Sequence, residues 1–328
     1  MHSATTTSAR FPTMGLGAGS LANEGGEDAF IKTIQAAWSD GVRYFDTAAL
    51  YLGGESERRL GVALEHVSRE DIRFSTKIGR YQNHTGSSID TENRRSFFDY
   101  SGDATRRSVE RSLERLKVER LDAVFVHDLD RRLCGEDFDR LFKQACDEAY
   151  PSLRRLKEEG LIRAVGVAAM DWRACLQFAR AVSLDVMMPA GEYSLLRTNS
   201  APLLDHCLHN NISWIAASPF NSGILATGAR LDAFYDMRPA TPLVLRQVKA
   251  LEGICRKYEV LLAAAALQFP LRHPAVSSVV FGAKSVQEFR ETRTLLSQPL
   301  PVEFWREIET YIAKTTDWEK AEEGLWVR

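Results

Sequence analysis

Residues 15–20 read GLGAGS, with glycine at every second position just after the first apolar residues of the chain. This stretch decides the fold, because it admits two readings. In a doubly wound nucleotide-binding sheet, a glycine turn of G-x-G-x-x-G spacing follows the first strand. An acidic residue then closes the second strand about 20 residues on, where it meets a ribose hydroxyl. Gly15, Gly17 and Gly19 miss that spacing, and no acidic residue closes a strand at that distance. The alternative is that 12–19 is simply the first strand of a different parallel sheet.

The rest of the chain supports that alternative. Short apolar, β-branched runs recur at 43–47, 72–77, 122–127, 163–168, 184–190, 212–218 and 276–283, and most pairs are separated by stretches of helical period. Gly41 and Gly160 stand where helices of this kind end, in the left-handed conformation glycine tolerates. The strands are apolar throughout rather than alternating, which implies burial on both faces and helical crossovers between parallel neighbours. With 12–19 this makes eight β-α units, so the expected fold is α/β, a (β/α)8 TIM barrel. Three connections are longer than a tight loop needs: 78–104, 128–150 and 219–243. All follow strand C-termini, the face on which barrels build their sites, and a C-terminal extension is expected to fold over the same face. No Pro-, Gly- or Ser-rich linker divides the chain. Residues 11–328 are therefore expected to form a single domain after a disordered tail at 1–10.

Composition narrows the partners. Lys and Arg number 42 against 44 Asp and Glu, a net charge of -2, which gives no electrostatic case for nucleic acid or a membrane surface. The five cysteines have no paired spacing, and no run is apolar enough to span a bilayer or serve as a signal peptide. The expectation is a cytoplasmic protein, monomer or homodimer, acting on a small molecule.

Three ionisable residues end consecutive strands: Asp46, Lys77 and His127. Taken singly, each suits a turn or a solvated strand end. In a barrel they share one rim, and Tyr51 hangs from the loop beside Asp46. A tyrosine hydroxyl has a pKa of about 10 and is a poor base at neutral pH. A neighbouring ammonium favours the phenolate, and Lys77, held by Asp46, is expected to lower Tyr51 in this way. His127 is placed to hydrogen-bond a substrate oxygen. Such a set has no nucleophile and no metal cage. It suits interconversion of C–OH and C=O with hydride exchanged with a cofactor.

These residues carry a resemblance. The segments FDTAALYLGGESERRLG (45–61), STKIG (75–79), VFVHD (124–128), RAVGV (163–167) and SPFNSGILATG (218–228) are together similar to the aldo-keto reductase superfamily. The resemblance implies a nicotinamide cofactor lying across the strand C-termini and a catalytic tetrad of Asp46, Tyr51, Lys77 and His127, with Tyr51 as the acid-base residue. Further segments, among them FDYSGDATRRSVERSLERL (98–116), resemble a narrower branch that holds D-threo-aldose 1-dehydrogenases, of the L-fucose and L-galactose dehydrogenase types, and pyridoxal 4-dehydrogenase. Members of that branch mostly oxidise a ring hemiacetal to a lactone and favour NAD. A general aldehyde or ketone reductase stays open beside that reading.

For the cofactor the resemblance implies Ser218, Phe220, Asn221 and Gly223 over the diphosphate, and Gly282, Ala283, Lys284, Ser285, Glu288 and Thr292 toward the adenosine end. Gly17 and Asp46 would border it from the first two strands. The family's usual side chains around nicotinamide are replaced by Ala168-Ala169, Ala190 and Ala217, leaving Met170, Trp172 or Tyr193 to fill the space. Glu288 leans toward NAD, while Lys284-Ser285 keeps NADP possible. On the substrate side the candidates are Tyr51 and His127, then Arg80, Tyr81 and Trp172. The aromatics of 97–100, with Trp318 and Trp326 in the extension, join them.

Overall fold

The computed structural model describes residues 11–23, 26–82 and 96–315. The first ten residues, Trp318 and Trp326 lie outside them. Eight parallel strands close into a barrel in sequence order, the last pairing with the first. They are β1 (Met14–Gly17), β2 (Tyr44–Asp46), β3 (Arg73–Ile78), β4 (Ala123–His127), β5 (Val165–Ala168), β6 (Val186–Met187), β7 (Ser213–Ala217) and β8 (Val276–Gly282). This is the (β/α)8 barrel read from the apolar runs.

Helices α1 (Gly26–Ser39), α2 (Glu55–Ala63), α3 (Gly102–Leu116), α4 (Tyr150–Glu158), α5 (Trp172–Ala181) and α6 (Ala201–His209) surround it, followed by α7 (Pro242–Lys257), α8 (Leu262–Gln268), α9 (Val286–Ser297) and α10 (Val302–Thr315). Their starts are written locally. Ser101, Asp171, Thr241 and Ser285 each accept a hydrogen bond from an amide of the first turn of α3, α5, α7 and α9.

Side chains alternate along each strand. Tyr44, Ala123, Phe125, Val186, Ile215 and Val280 form one buried cluster inside the barrel. Their sequence neighbours Phe45, Val124, Val126, Trp214, Val279 and Phe281 belong to the cluster packed beneath the helices. Large interior rings stand beside missing side chains. A Cβ on Gly15 would come within 2.4 Å of the Tyr44 ring, so the first glycine of GLGAGS makes room for core packing. Among the described residues, no helix is long and apolar enough to cross a membrane.

The three long connections carry structure of their own. Arg80–Gln82 and Ser96–Phe98 pair as a hairpin after β3. Short helical turns fill 131–149 after β4. A small hairpin, Phe234–Tyr235 with Arg238–Pro239, follows β7.

Candidate active site

Alternation sets what faces the C-terminal mouth. Two residues beyond interior Tyr44 comes Asp46, two beyond Ser75 comes Lys77, and two beyond Phe125 comes His127. Each is the last inward side chain of its strand, and all three are buried. Lys77 Nζ donates to Asp46 Oδ2 at 2.6 Å and to the Thr47 carbonyl at 2.8 Å. The other carboxylate oxygen of Asp46 accepts from Ser75 Oγ at 2.6 Å, and Ser75 is in turn 2.9 Å from Tyr44 Oη. Both oxygens of Asp46 are therefore fixed, and through them the ammonium.

Tyr51 lies above this pair. Its hydroxyl accepts from Lys77 Nζ at 3.4 Å, and its ring meets that of His127 edge-on with centroids 6.1 Å apart. The loop that carries it turns through left-handed backbone at Leu52, Gly53 and Gly54. At Gly54 a Cβ would come within 2.7 Å of Arg115, whose guanidinium holds the buried Glu57 of α2. Gly54 thus lets the loop close onto α3 directly after the tyrosine. The Tyr51 ring rests on Gly19, where a Cβ would lie 3.3 Å from it.

The electrostatics follow from burial and from Asp46. Burial acts most strongly on the Lys77 ammonium and against it, but the Asp46 carboxylate and the Tyr51 hydroxyl, by charge and hydrogen bonds together, outweigh it and hold the lysine above its ordinary value. Burial pushes the Tyr51 phenol up, and Lys77 only partly offsets this. The expectation that Tyr51 ends below its ordinary value is therefore corrected: Lys77, 3.4 Å away, does pull the phenol down, but burial first and the nearby Asp46 and Asp128 carboxylates after it push it up by more. Burial also lowers His127 to about 4, so its imidazole is neutral at pH 7. His127 Nδ1 is buried with no hydrogen-bond partner, whereas Nε2 faces Asp128 Oδ2 at 3.5 Å. An orphaned N–H costs more than an orphaned lone pair, so the proton belongs on Nε2, toward the cavity.

These groups line one side of a cavity of about 710 Å³, within the range of small-molecule sites. The opposite side is made of small residues. Gly17 and Gly282, register partners on β1 and β8, border it with Gly19, and a Cβ on Gly282 would strike Ser20 Oγ at 2.4 Å. Ala168, Ala169, Ala190 and Ala217 form its floor, with Met170 and Met188. The floor is a knitted backbone: the Ala190 amide donates to Ala169 and the Gly191 amide to Ala217, both at 2.9 Å. A glycine-bordered trough that ends beside Tyr51 fits an extended nicotinamide cofactor, with Ser218 on its wall.

Of the other residues expected around the cofactor, Asn221 is buried and donates to the Gly191 carbonyl at 3.1 Å, while its Oδ1 has no partner. Phe220 packs between the two outer clusters, and Gly223 begins a short helical turn. Ala283, Lys284, Ser285 and Glu288 gather at the start of α9, with Thr292 buried mid-helix, all beyond the cavity's lining. There the Lys284 amide donates to the Glu288 carboxylate at 2.9 Å.

The structure brings only some of the expected substrate residues to the mouth. Arg80 lines the cavity. Tyr81 does not: it faces a second cavity, with Phe97, Arg107 and Ser108, between the hairpin and α3. Tyr100 is fully buried and donates to the His127 carbonyl at 2.5 Å, bracing the strand end. Trp172 packs on the outer core under Arg173, and Tyr193 against Trp214, Phe269 and His273, so of the three proposed fillers only Met170 is at the site.

Sequence reasoning missed Asp128, Arg132, Asp236 and Arg238, which also line the cavity. Asp128 had a signal, since it directly follows His127 at a strand end. Asp236 had none, because its place depends on the left-handed turn at Asp236 and Met237 and on Arg197, whose Nη2 donates to it at 2.8 Å.

Residues 13–313 match the sequence model of the Aldo/keto reductase family. A D-threo-aldose 1-dehydrogenase from Pseudomonas sp is 33% identical over 313 residues, covering 90% of this chain and 93% of that one. A pyridoxal 4-dehydrogenase from Microbacterium luteolum is 32% identical over 291 residues, covering 83% and 84%. Among solved structures, a glycerol dehydrogenase from Gluconobacter oxydans superposes with a TM-score of 0.74 over 92% of this chain and 91% of that one, at 24% identity, a likeness of fold.

Proposed function

The chain belongs to the aldo/keto reductase family, and from that premise we propose that it oxidises the ring hemiacetal of an aldose to its lactone with NAD. The reading rests on the buried Asp46–Lys77 pair under the Tyr51 hydroxyl, beside a neutral His127 and a small-residue trough. When bound, the nicotinamide supplies the acceptor for the C–H hydride. The chain's own residues handle the proton and the orientation. His127 Nε2–H donates to the reacting oxygen and fixes it near Tyr51 Oη. Tyr51 takes the hydroxyl proton, and Lys77, anchored on Asp46, stabilises the phenolate that does so. Positioned proton transfer of this kind contributes about 10²–10⁴-fold.

Two observations support the finer choices. Apart from Tyr51 and His127, the ring among the described lining residues is Phe281, and beside apolar residues the walls carry two charged pairs, Arg80 with Asp128 and Arg132 with Asp236. Such walls suit hydroxyls better than the face of a pyridine ring. At the start of α9 the Glu288 carboxylate occupies the Lys284 amide and sets a negative charge where a second phosphate would compete, which favours NAD over NADP.

A second reading, reduction of aldehydes, has its own support: burial keeps Tyr51 protonated, the form in which it donates to a carbonyl. The experiment is nicotinamide absorbance with purified protein on L-fucose, L-galactose, D-arabinose and pyridoxal, with NAD and NADP in turn. Oxidation of an aldose, lost in Tyr51→Phe with cofactor affinity kept, is the expected result. Reduction of simple aldehydes with no sugar oxidised would overturn the dehydrogenase reading.

A further inference from the structure

Asp128 and Arg80 form a fixed ion pair on the cavity wall beside His127. Arg80 Nη1 donates to Asp128 Oδ2 at 2.6 Å, and that oxygen lies 3.5 Å from His127 Nε2. Neither side chain is free to swing. Arg80 is held from behind by Ser96 Oγ, which accepts from Nε at 3.2 Å and from Nη2 at 3.1 Å, and its guanidinium lies over the Phe98 ring. Asp128 sits on left-handed backbone, φ 55°, which turns the chain sharply after the strand.

Both residues line the cavity, and each keeps hydrogen-bonding capacity. A guanidinium has five N–H donors, of which three are used here, and among the described residues Asp128 accepts its side-chain hydrogen bond at Oδ2, not at Oδ1. A rigid acceptor next to rigid donors matches a hydroxyl, which needs one of each. The pair also sits one hydrogen bond to the side of His127 Nε2. A ligand whose reacting oxygen is held by Nε2 therefore presents the substituent on the neighbouring carbon to Asp128 and Arg80.

Resting on the aldose reading above, we propose that Asp128 and Arg80 bind the hydroxyl on the carbon next to the reacting one, so that the enzyme selects hemiacetals carrying that hydroxyl. A site built to hydrogen-bond a hydroxyl rejects the analogue that lacks it, because buried polar groups are left unpaired. An alternative role is that Asp128 merely orients the His127 ring, which would affect every substrate alike.

The test compares kcat/KM on L-fucose and on 2-deoxy-L-fucose for the wild type, Asp128→Asn and Arg80→Met. Asparagine tolerates left-handed backbone as well as aspartate does, so the first variant keeps the turn. Arg80→Met reports on the other partner without touching it. Thermal melting and cofactor-binding fluorescence check that both variants fold. The wild type is expected to prefer L-fucose by about 10²-fold or more, and each variant to lose most of that preference, its loss on L-fucose exceeding its loss on the deoxy sugar by at least about 30-fold. A wild type indifferent to the deoxy change overturns the inference and leaves the dehydrogenase reading standing. Equal losses on both sugars in the variants also overturn it, in favour of ring orientation. Should another aldose of the panel be the substrate, the same comparison is made with that aldose and its 2-deoxy analogue; a wild type that oxidises no aldose overturns the inference together with the reading on which it rests.

Discussion

Acidification is expected to separate two opposing contributions to stability that lie three residues apart. His127 titrates at about 4 in the folded chain, because burial disfavours its charged form, against about 6.5 unfolded. Between those values the unfolded chain binds more protons than the native one, so stability falls as pH falls. The full difference is about 3 kcal/mol, with about 2 kcal/mol already lost on going from pH 7 to pH 5. Asp130 runs the other way. It is buried, one of its oxygens has no partner, and burial raises it to about 6 from an ordinary value near 4. Its native form binds more protons in that window, which adds about 1 kcal/mol of stability by pH 5. The wild type alone should thus lose only about 1 kcal/mol from this pair, less than His127 alone would cost. Urea denaturation of the wild type, His127→Gln and Asp130→Asn at pH 7 and pH 5 resolves them. The advantage of the wild type over His127→Gln should shrink by about 2 kcal/mol at the lower pH, and its advantage over Asp130→Asn should grow by about 1 kcal/mol. Differences independent of pH would refute the neutral, desolvated His127 on which the proposed hydrogen bond depends.

Oxidation should speed up as pH rises above neutrality, about tenfold per unit until Tyr51 titrates, because burial holds the phenol above its ordinary value; a flat pH–rate profile for the chemical step would contradict this. Arg197→Met should lower unfolding free energy by about 3–5 kcal/mol in denaturant titrations, because Arg197 is the guanidinium shared by buried Glu192, at 3.1 Å, and Asp236, at 2.8 Å. Glu288→Gln should improve kcat/KM with NADP relative to NAD by about 5- to 30-fold, the worth of about 1–2 kcal/mol for an anion at a helix start, and an unchanged ratio would remove Glu288 from cofactor choice.

Much of this site is legible in the sequence because a barrel strand buried on both faces has no other use for a charge. Asp46, Lys77 and His127 stand out as the ionisable ends of apolar runs, and the pleat then brings them to one mouth. The strand lengths were less legible. The run 184–190 suggests seven strand residues, but only Val186–Met187 pair as strand, and the following residues leave the ladder to become floor, the Met188 amide donating to the Val167 carbonyl. Tyr81 was misjudged for a physical reason: it neighbours Arg80 on a strand, and successive side chains point to opposite faces, so the two cannot share the cavity. Asp128 and Asp236 take their places from left-handed turns, which no periodicity announces.

The alanines also make sense as part of a divided ring. Around the mouth, the last inward residues of β2, β3 and β4 are Asp46, Lys77 and His127, while β5, β7, β8 and β1 end in Ala168, Ala217, Gly282 and Gly17. Polar groups on adjacent strands can satisfy one another across the pleat, as the charges of Lys77 and Asp46 do at 2.6 Å, and so tolerate burial. Scattered around the ring, each would face an apolar neighbour and carry its desolvation cost alone. Gathering them on one side leaves the strand ends opposite with small side chains, where Ala168, Ala217, Gly282 and Gly17 would leave room for the nicotinamide. With no side-chain amide on Ala168, Ala169, Ala190 or Ala217, the orientation of a bound nicotinamide would fall to shape and to the knitted backbone. Enlarging Ala217 to Leu should therefore impair cofactor binding, read as a rise in its Kd, while leaving the Lys77–Asp46 pair, and the fold it anchors, in place.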